Sequence, residues 1–222
     1  MAEITTTATG KSRTNLSLHH LFAACRFTAR IEEIEQANAG QPFGSFWEEI
    51  LQNALGVATL SVACIECYAN ELFFEGTAIS SSLNSVATAV IAEALDSESI
   101  LLKYSAVLAI RVGKQLDMGV LQVQGANALI KLRNSVVHFR PEWSGEQNKH
   151  DKLSKLLRYK FETSSFLPNE PIFPLAWASH SFAVWALRST IEFLEYFHAE
   201  VGLSSPLAQF KDQLSVLSFN AL

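Results

Sequence analysis

The longest helical pattern in the chain spans residues 45 to 74 and constrains the fold more than any other feature. Its apolar residues recur at helical spacing, Ser45 can cap its beginning, and Gly76 follows its end. About 30 residues at a rise of 1.5 Å each make a helix of ~45 Å. Because no segment has a persuasive strand pattern, we expect an all-α fold, a bundle of long antiparallel helices.

Further helical patterns surround this one and indicate a single helical domain. Their approximate bounds are 16–38, 83–95, 96–114, 120–139, 149–161 and 175–201, with a short helix that opens at Pro206. Residues 1–14 are polar and Thr-rich, and we interpret them as a flexible N-terminal tail before one domain at 15–222. A loop at 141–148 and a Pro-rich connector at 166–174 separate the later helices.

The composition narrows the class of protein. Hydrophobic residues make up 49% of the chain and charged residues 18%, so a large core can form and apolar area remains for an interface. No segment reaches about 18 consecutive apolar residues, the usual minimum for a membrane span. The N-terminus lacks the apolar core of a signal peptide. We therefore expect a cytoplasmic protein without a membrane partner.

The three cysteines, Cys25, Cys64 and Cys67, do not form a disulfide framework. Cys64 and Cys67 make a C-x-x-C string, but it lies inside a continuous helical pattern and has no second ligand pair. Zinc needs about four ligands. These cysteines are therefore expected to be small core residues, and no cofactor is expected.

Residues 133–138, Arg-Asn-Ser-Val-Val-His, carry the strongest functional signal. Arg133 supplies a fixed cation, Asn134 an amide and His138 a titratable imidazole, the groups needed to hold a phosphodiester and move protons around it. Four polar residues share one face of the predicted helix, at spacings of four, three and four: Asn127, Lys131, Asn134 and His138. Arg133 lies roughly 140° around the helix from His138, so it reaches the same site only through its long side chain or across an interface.

This pattern resembles the ribonuclease motif of the HEPN superfamily, in which Arg, a polar residue, three variable positions and His stand near the end of a late helix. Arg133, Asn134 and His138 match it position for position. Glu66 and Asn70 match the Glu-x-x-x-Asn element that several HEPN groups carry on an early helix. Over residues 43–201, the resemblance implies a helical bundle, a two-fold dimer and, in the active branches, metal-independent RNA cleavage; other branches are inactive.

Each motif residue also has a structural interpretation. Arg133 can form an intrachain salt bridge, with Glu66 for example, or grip the scissile phosphate, and the two roles are compatible. Asn134 can be a surface amide or orient phosphate or imidazole. His138 can interact with the last carbonyls of its helix or transfer protons between RNA oxygens. Glu66 and Asn70 can form a hydrogen-bond network that holds the motif helix, or contact RNA.

Positive charge is concentrated beside this motif, although the whole chain carries −5. Residues 131–160 contain eight Lys/Arg and three acids, a net charge of +5, whereas the remainder has nine basic and nineteen acidic residues, a net charge of −10. A local positive field steers phosphates whatever the total charge. Six residues near the motif are candidate RNA contacts: Lys131, Arg140, Trp143, Lys152, Lys155 and Arg158. The alternatives are a solvated helix face and, for Arg140 and Trp143, closure of the helix end.

Together with the resemblance, these features predict a metal-independent endoribonuclease that acts on RNA as a homodimer. A role as a toxin or defence effector fits this prediction. The resemblance places Arg133, Asn134 and His138 of both chains in one cleft, where attack of a ribose 2′-hydroxyl would give a 2′,3′-cyclic phosphate. An antitoxin would be a separate chain. The alternative is a catalytically inactive HEPN-like protein that binds a nucleotide or a partner.

Overall fold

A computed structural model describes residues 4–6, 12–74, 79, 83–141 and 150–210 of the chain. Within them the predicted all-α architecture is confirmed. Seven α-helices form it: α1 Ser17–Ala37, α2 Phe46–Leu72, α3 Ser85–Leu95, α4 Ile100–Val112, α5 Leu121–Val137, α6 Asp151–Leu157 and α7 His180–Val201. A π-type turn at Ile172–Ala176 precedes α7 and a 3-10 helix at Pro206–Phe210 follows it.

The helix α2 is the centre of the bundle and packs against α1, α4, α5 and α7. Its buried side chains include Val57, Val62 and Ile65, which are fully inaccessible to solvent. At Gly56 the α1–α2 contact is especially close, because a Cβ atom there would lie 2.8 Å from the ring of Phe27. By length and hydropathy alone α2 could also cross a membrane, but its sides are covered by other helices, as in the core of a bundle.

The helices α1 and α2 run antiparallel, as an ion pair at one end and a capping contact at the other end show. Arg30 on α1 donates from Nε to Glu49 on α2 at 2.8 Å. At the other end of the pair, Glu71 accepts from the backbone N–H groups of Leu16 and Ser17 at 2.9 and 3.0 Å, and from the Ser17 hydroxyl at 2.8 Å. Glu71 thus caps α1 from a neighbouring helix, in the absence of a capping side chain at Leu16 itself.

A buried polar pair joins α2 to α7. The Tyr68 hydroxyl lies 2.7 Å from Nε2 of His198, whose residue is only 3% exposed. Burial raises the pKa of Tyr68, and burial also lowers the pKa of His198, an effect that the nearby carboxylate of Glu195 partly offsets. Both side chains are therefore held in their neutral forms, which suits a hydrogen bond inside a core.

Several helix ends differ from the sequence-based prediction. The last long helix begins at His180 rather than at 175, because Ser179 caps it by accepting from the Phe182 N–H. Ser45 stands at the N-cap position of α2, but its side chain makes no capping bond. The basic helix is shorter than expected, Asp151–Leu157, and the backbone leaves helical geometry fully at Tyr159, where φ is +67°.

One short ribbon that no sequence pattern indicated precedes the helical bundle. Ile4–Thr6 pairs antiparallel with Ser12–Thr14 in a two-stranded ribbon of three residues each. A ribbon of this size has marginal stability by itself. It lies within the segment predicted to be a flexible tail, and that flexibility stays a prediction.

Candidate active site

The motif helix α5 is placed by its apolar face. Val123, Ala126, Leu129 and Leu132 are fully buried and α5 packs against α2 and α7. Their spacing of three residues lies close to the helical period that predicted this element. Gly125 permits the close approach to α7, because a Cβ atom there would lie 3.2 Å from the Ser189 hydroxyl. The opposite face of α5 is thereby directed to solvent.

Asn134 and His138 lie on that outer face. The helix ends at Val137, two residues before the predicted end, and His138 is its C-cap with φ −107° and ψ 34°. The His138 N–H still donates to the Asn134 carbonyl at 2.9 Å, which holds the two residues one turn apart. Both are exposed, and neither side chain has a hydrogen-bond partner in the described part of the chain. The amide and the imidazole are therefore available to a ligand.

The predicted ion pair between Arg133 and Glu66 is present. Nη2 of Arg133 donates to Oε2 of Glu66 at 2.9 Å, across the contact between α5 and α2. The two side chains are 23% and 41% exposed, so the pair is only partly shielded from water. Nε of Arg133 is buried without a partner among the described residues. Arg133 is thus fixed on the α2 side of its helix, away from the outer face that carries Asn134.

Among the described residues Asn70 has a hydrogen-bond partner on α4 and none on the motif helix, unlike in the network that was one of its two expected roles. Its side-chain oxygen accepts from Nζ of Lys103 on α4 at 2.9 Å, and Lys103 donates also to the Asp96 carbonyl at 3.0 Å. Lys103 is only 4% exposed. Because Asp96 stands at the C-terminal end of α3, the ammonium lies at the negative end of a helix dipole. Of the Glu66–Asn70 element, only Glu66 supports Arg133.

An aromatic cluster holds the chain just after His138. Phe139 stacks on the His150 ring at 5.3 Å with an interplanar angle of 14°, and Phe173 contacts both rings edge-on. Nε2 of His150 lies 3.2 Å from the Arg140 carbonyl. No local sequence pattern reveals this role of His150. The cluster explains why the helix ends early, since Phe139 turns away to pack.

The predicted basic surface is largely present on α6, which lies against α5. Leu153 and Leu157 bury one face of α6, and Lys152, Lys155 and Arg158 are exposed on the other. Lys131 on α5 and Arg140 are exposed too. Trp143 lies outside the described residues. These exposed cations lie on or next to α5 and α6, which contact each other, and they are close to His138 in the sequence.

No group of three or more His, Cys, Asp or Glu suited to a metal ion occurs among the described residues. Cys64 is buried in α2 and Cys67 is half-buried. Desolvation by burial raises the pKa of both thiols, Cys64 the more strongly, so each stays protonated near neutral pH. The cysteines are packing residues of the bundle.

No protein-family model, curated protein or solved structure matches the chain. The geometry of α5 and its surroundings is therefore the basis of the functional argument. It offers an exposed imidazole, an exposed amide and a fixed guanidinium on one helix. The guanidinium and the amide can each contact an anion, and the imidazole can transfer a proton.

Proposed function

We propose that the chain is a metal-independent endoribonuclease of the HEPN type. The observation that carries the proposal is the state of the motif helix: His138 and Asn134 are exposed without partners at its end, and Glu66 holds the guanidinium of Arg133. Exposure suits groups that contact a substrate, and a carboxylate partner suits an arginine that must keep one orientation. The exposed cations of α6 add a surface that attracts a phosphate backbone.

The proposed reaction is an internal transesterification. The 2′-oxygen of a ribose attacks the adjacent phosphorus, the bond from phosphorus to the 5′-oxygen breaks, and a 2′,3′-cyclic phosphate and a 5′-hydroxyl result. His138 takes the proton from the 2′-hydroxyl or gives one to the leaving 5′-oxygen, the role that imidazole side chains most often have in general acid–base catalysis. Arg133 stabilises negative charge on the phosphoryl oxygens, and Asn134 orients the phosphate or the imidazole.

The angular offset of Arg133 supports a composite site in a homodimer. Arg133 reaches toward α2, so a single chain does not direct its guanidinium and the imidazole of His138 to the same side of α5. A two-fold axis beside α5 would bring Arg133 of one copy toward His138 of the other. Static light scattering at micromolar concentration should give the mass of a dimer, and a monomer alone would contradict this arrangement.

The decisive experiment is a cleavage assay on single-stranded RNA with EDTA present. The wild-type protein should cut, and mass spectrometry should find 2′,3′-cyclic phosphate ends. His138→Ala should lower the rate by about 10²–10⁴-fold, the usual contribution of general acid–base catalysis. His20→Ala changes a half-buried histidine on α1 whose side chain has no hydrogen bond in the described residues; it is the control and should retain the rate. Equal cleavage by the His138 variant would contradict the proposal.

A second candidate is a catalytically inactive HEPN-like protein that binds a nucleotide or a partner. The ion pair favours it, because Glu66 already neutralises Arg133 in the single chain. RNA or nucleotide binding without any His138-dependent product would support this candidate. A toxin or defence role with a separate antitoxin chain belongs to the first candidate and rests on it.

A further inference from the structure

A cavity between α4 and α5 lies on the same helix as the candidate site. Its volume is about 430 Å³, within the range of about 300–1,000 Å³ typical of small-molecule sites. Aliphatic and thioether side chains line most of it, among them Leu102, Met118 and Ile130. No charged residue contributes to the lining. An uncharged, mainly apolar cavity does not suit a phosphate group.

Two amides give the cavity a polar side. Asn127 and Gln115 both line it, and neither amide has a hydrogen-bond partner in the described chain. Asn127 is half-buried, so water reaches its amide only in part. Each amide offers two donors and one acceptor oxygen. A ligand with flat apolar faces and a hydrogen-bonding edge would satisfy both kinds of lining.

The position of the cavity relates it to the proposed cleavage site. Asn127, Asn134 and His138 follow one stripe of α5, since eleven residues from Asn127 to His138 rotate by about 20° beyond three turns. Asn127 is ~10 Å along the helix axis from Asn134, at 1.5 Å per residue. The exposed Lys131 lies between them on the same stripe. An RNA strand that spans the distance from the cavity to the end of α5 would pass Lys131, whose ammonium group can neutralise a phosphate of its backbone.

We propose that this cavity accepts a nucleobase of single-stranded RNA, a few nucleotides from the scissile phosphate, and that Asn127 selects the base. The inference rests on the proposed function and names its substrate class and specificity residue. Sequence-specific proteins read unstacked bases of single strands by apolar contact with their faces and hydrogen bonds to their edges. Asn127 would supply the hydrogen bonds, and Met118 and Ile130 the apolar contacts.

The test measures binding separately from cleavage. The full chain is titrated into fluorescently labelled 2′-O-methyl octamers of adenine, of cytosine, of uracil and of alternating guanine and uracil, which lack the attacking hydroxyl and cannot be cut. The wild type should prefer one composition by about tenfold or more, as good hydrogen-bond pairing to a base edge gives. Asn127→Leu, of similar size, should reduce the preference to about threefold or less. Gln122→Leu, on another face of α5 and outside the cavity lining, should keep it.

Three results would overturn the inference: no base preference in the wild type, no octamer binding at all, or an unchanged preference in Asn127→Leu. Light scattering on the same samples tests whether the cavity instead belongs to a contact between two copies of the chain. If Asn127→Leu converts a dimer to a monomer, the cavity is part of a contact between two copies, and the inference is again wrong. Octamer selection that depends on Asn127 in a protein that cuts no RNA would leave the base site standing and contradict the ribonuclease proposal. RNA cleavage without base selection would contradict the base site and leave the ribonuclease proposal standing.

Discussion

His138 and His198 place the same side chain in two different environments of one bundle. His138 is the C-cap of α5, is exposed, and its side chain has no partner in the described residues, whereas His198 is buried in α7 and bonded to Tyr68. Burial lowers the pKa of His198 and keeps the ring neutral. The comparison teaches that His198 contributes to the fold through an enclosed hydrogen bond, whereas the ring of His138 is available to a ligand.

The comparison is tested most directly by removing each ring and measuring both the rate of RNA cleavage and the stability of the fold. His138→Ala should abolish most RNA cleavage and leave the melting temperature nearly unchanged, because no packing is lost at an exposed position. His198→Ala should leave a cavity and strand the Tyr68 hydroxyl, and so lower the free energy of unfolding by roughly 2–4 kcal/mol. Thermal unfolding by circular dichroism and the cleavage rate would be recorded for both variants. A large fall in stability for His138→Ala would contradict the assignment.

Charge reversal on and next to α6 should have the next largest effect, a weaker binding of RNA. Changing Lys152, Lys155 and Arg158 to Glu removes three candidate phosphate contacts from an exposed surface. The slope of log affinity against log salt should become shallower by about 2, since each contact to a single strand contributes about 0.7. Arg26→Glu, which reverses an exposed cation on α1, serves as the control. An unchanged affinity at low salt would mean that the α6 cations only face water.

Removal of the Arg133–Glu66 ion pair should have a smaller effect on stability, and this effect should depend on both residues. Arg133→Ala should reduce cleavage and also destabilise the fold by about 1 kcal/mol, since a partly exposed ion pair contributes little. For a chain of this size that corresponds to a melting temperature lower by about 2–4 °C. Adding Glu66→Gln should restore the melting temperature, because it removes the unpaired carboxylate, but should not restore cleavage. A restored rate would show that Arg133 only balances the charge of Glu66.

Strongly periodic helices and one ion pair were predictable from the sequence. Helices α1, α2 and α5 were predicted within two or three residues, because their apolar periodicity is strong over many turns. The Arg133–Glu66 pair was predictable because a carboxylate inside an apolar helix needs a cation and the motif supplies one.

Contacts set by the packing of distant elements could not be predicted in this way. Lys103 as the partner of Asn70, and Tyr68 as the partner of His198 across 130 positions, depend on how α2, α4 and α7 meet. The stacking of Phe139 on His150 likewise depends on a fold in the chain after α5. Periodicity gives the buried face of a helix, but several neighbours can cover that face, and the polar partners differ with each choice.

The pH dependence of stability gives the finest test of the two histidines. Because burial puts the folded-state pKa of His198 below its unfolded value, the unfolded chain binds more protons in the interval between the two pKa values. The contribution of His198 is therefore complete above about pH 6.5, the usual histidine pKa, and is lost as the pH falls toward the folded-state value. The slope cannot exceed about 1.4 kcal/mol per pH unit for one proton.

Urea unfolding of the wild type and of His198→Gln between pH 7.5 and pH 5 would isolate this contribution. Glutamine keeps a hydrogen-bonding group near Tyr68 but does not titrate, so the wild type should lose more stability on acidification than the variant. Burial raises the pKa of Glu35, which acts in the opposite direction, yet this carboxyl is present in both proteins and cancels in the difference. His138→Gln is the control for the substitution itself and should keep the wild-type stability, because the exposed ring has no hydrogen bond to lose. Parallel curves for the wild type and His198→Gln would mean that burial does not lower the pKa of His198.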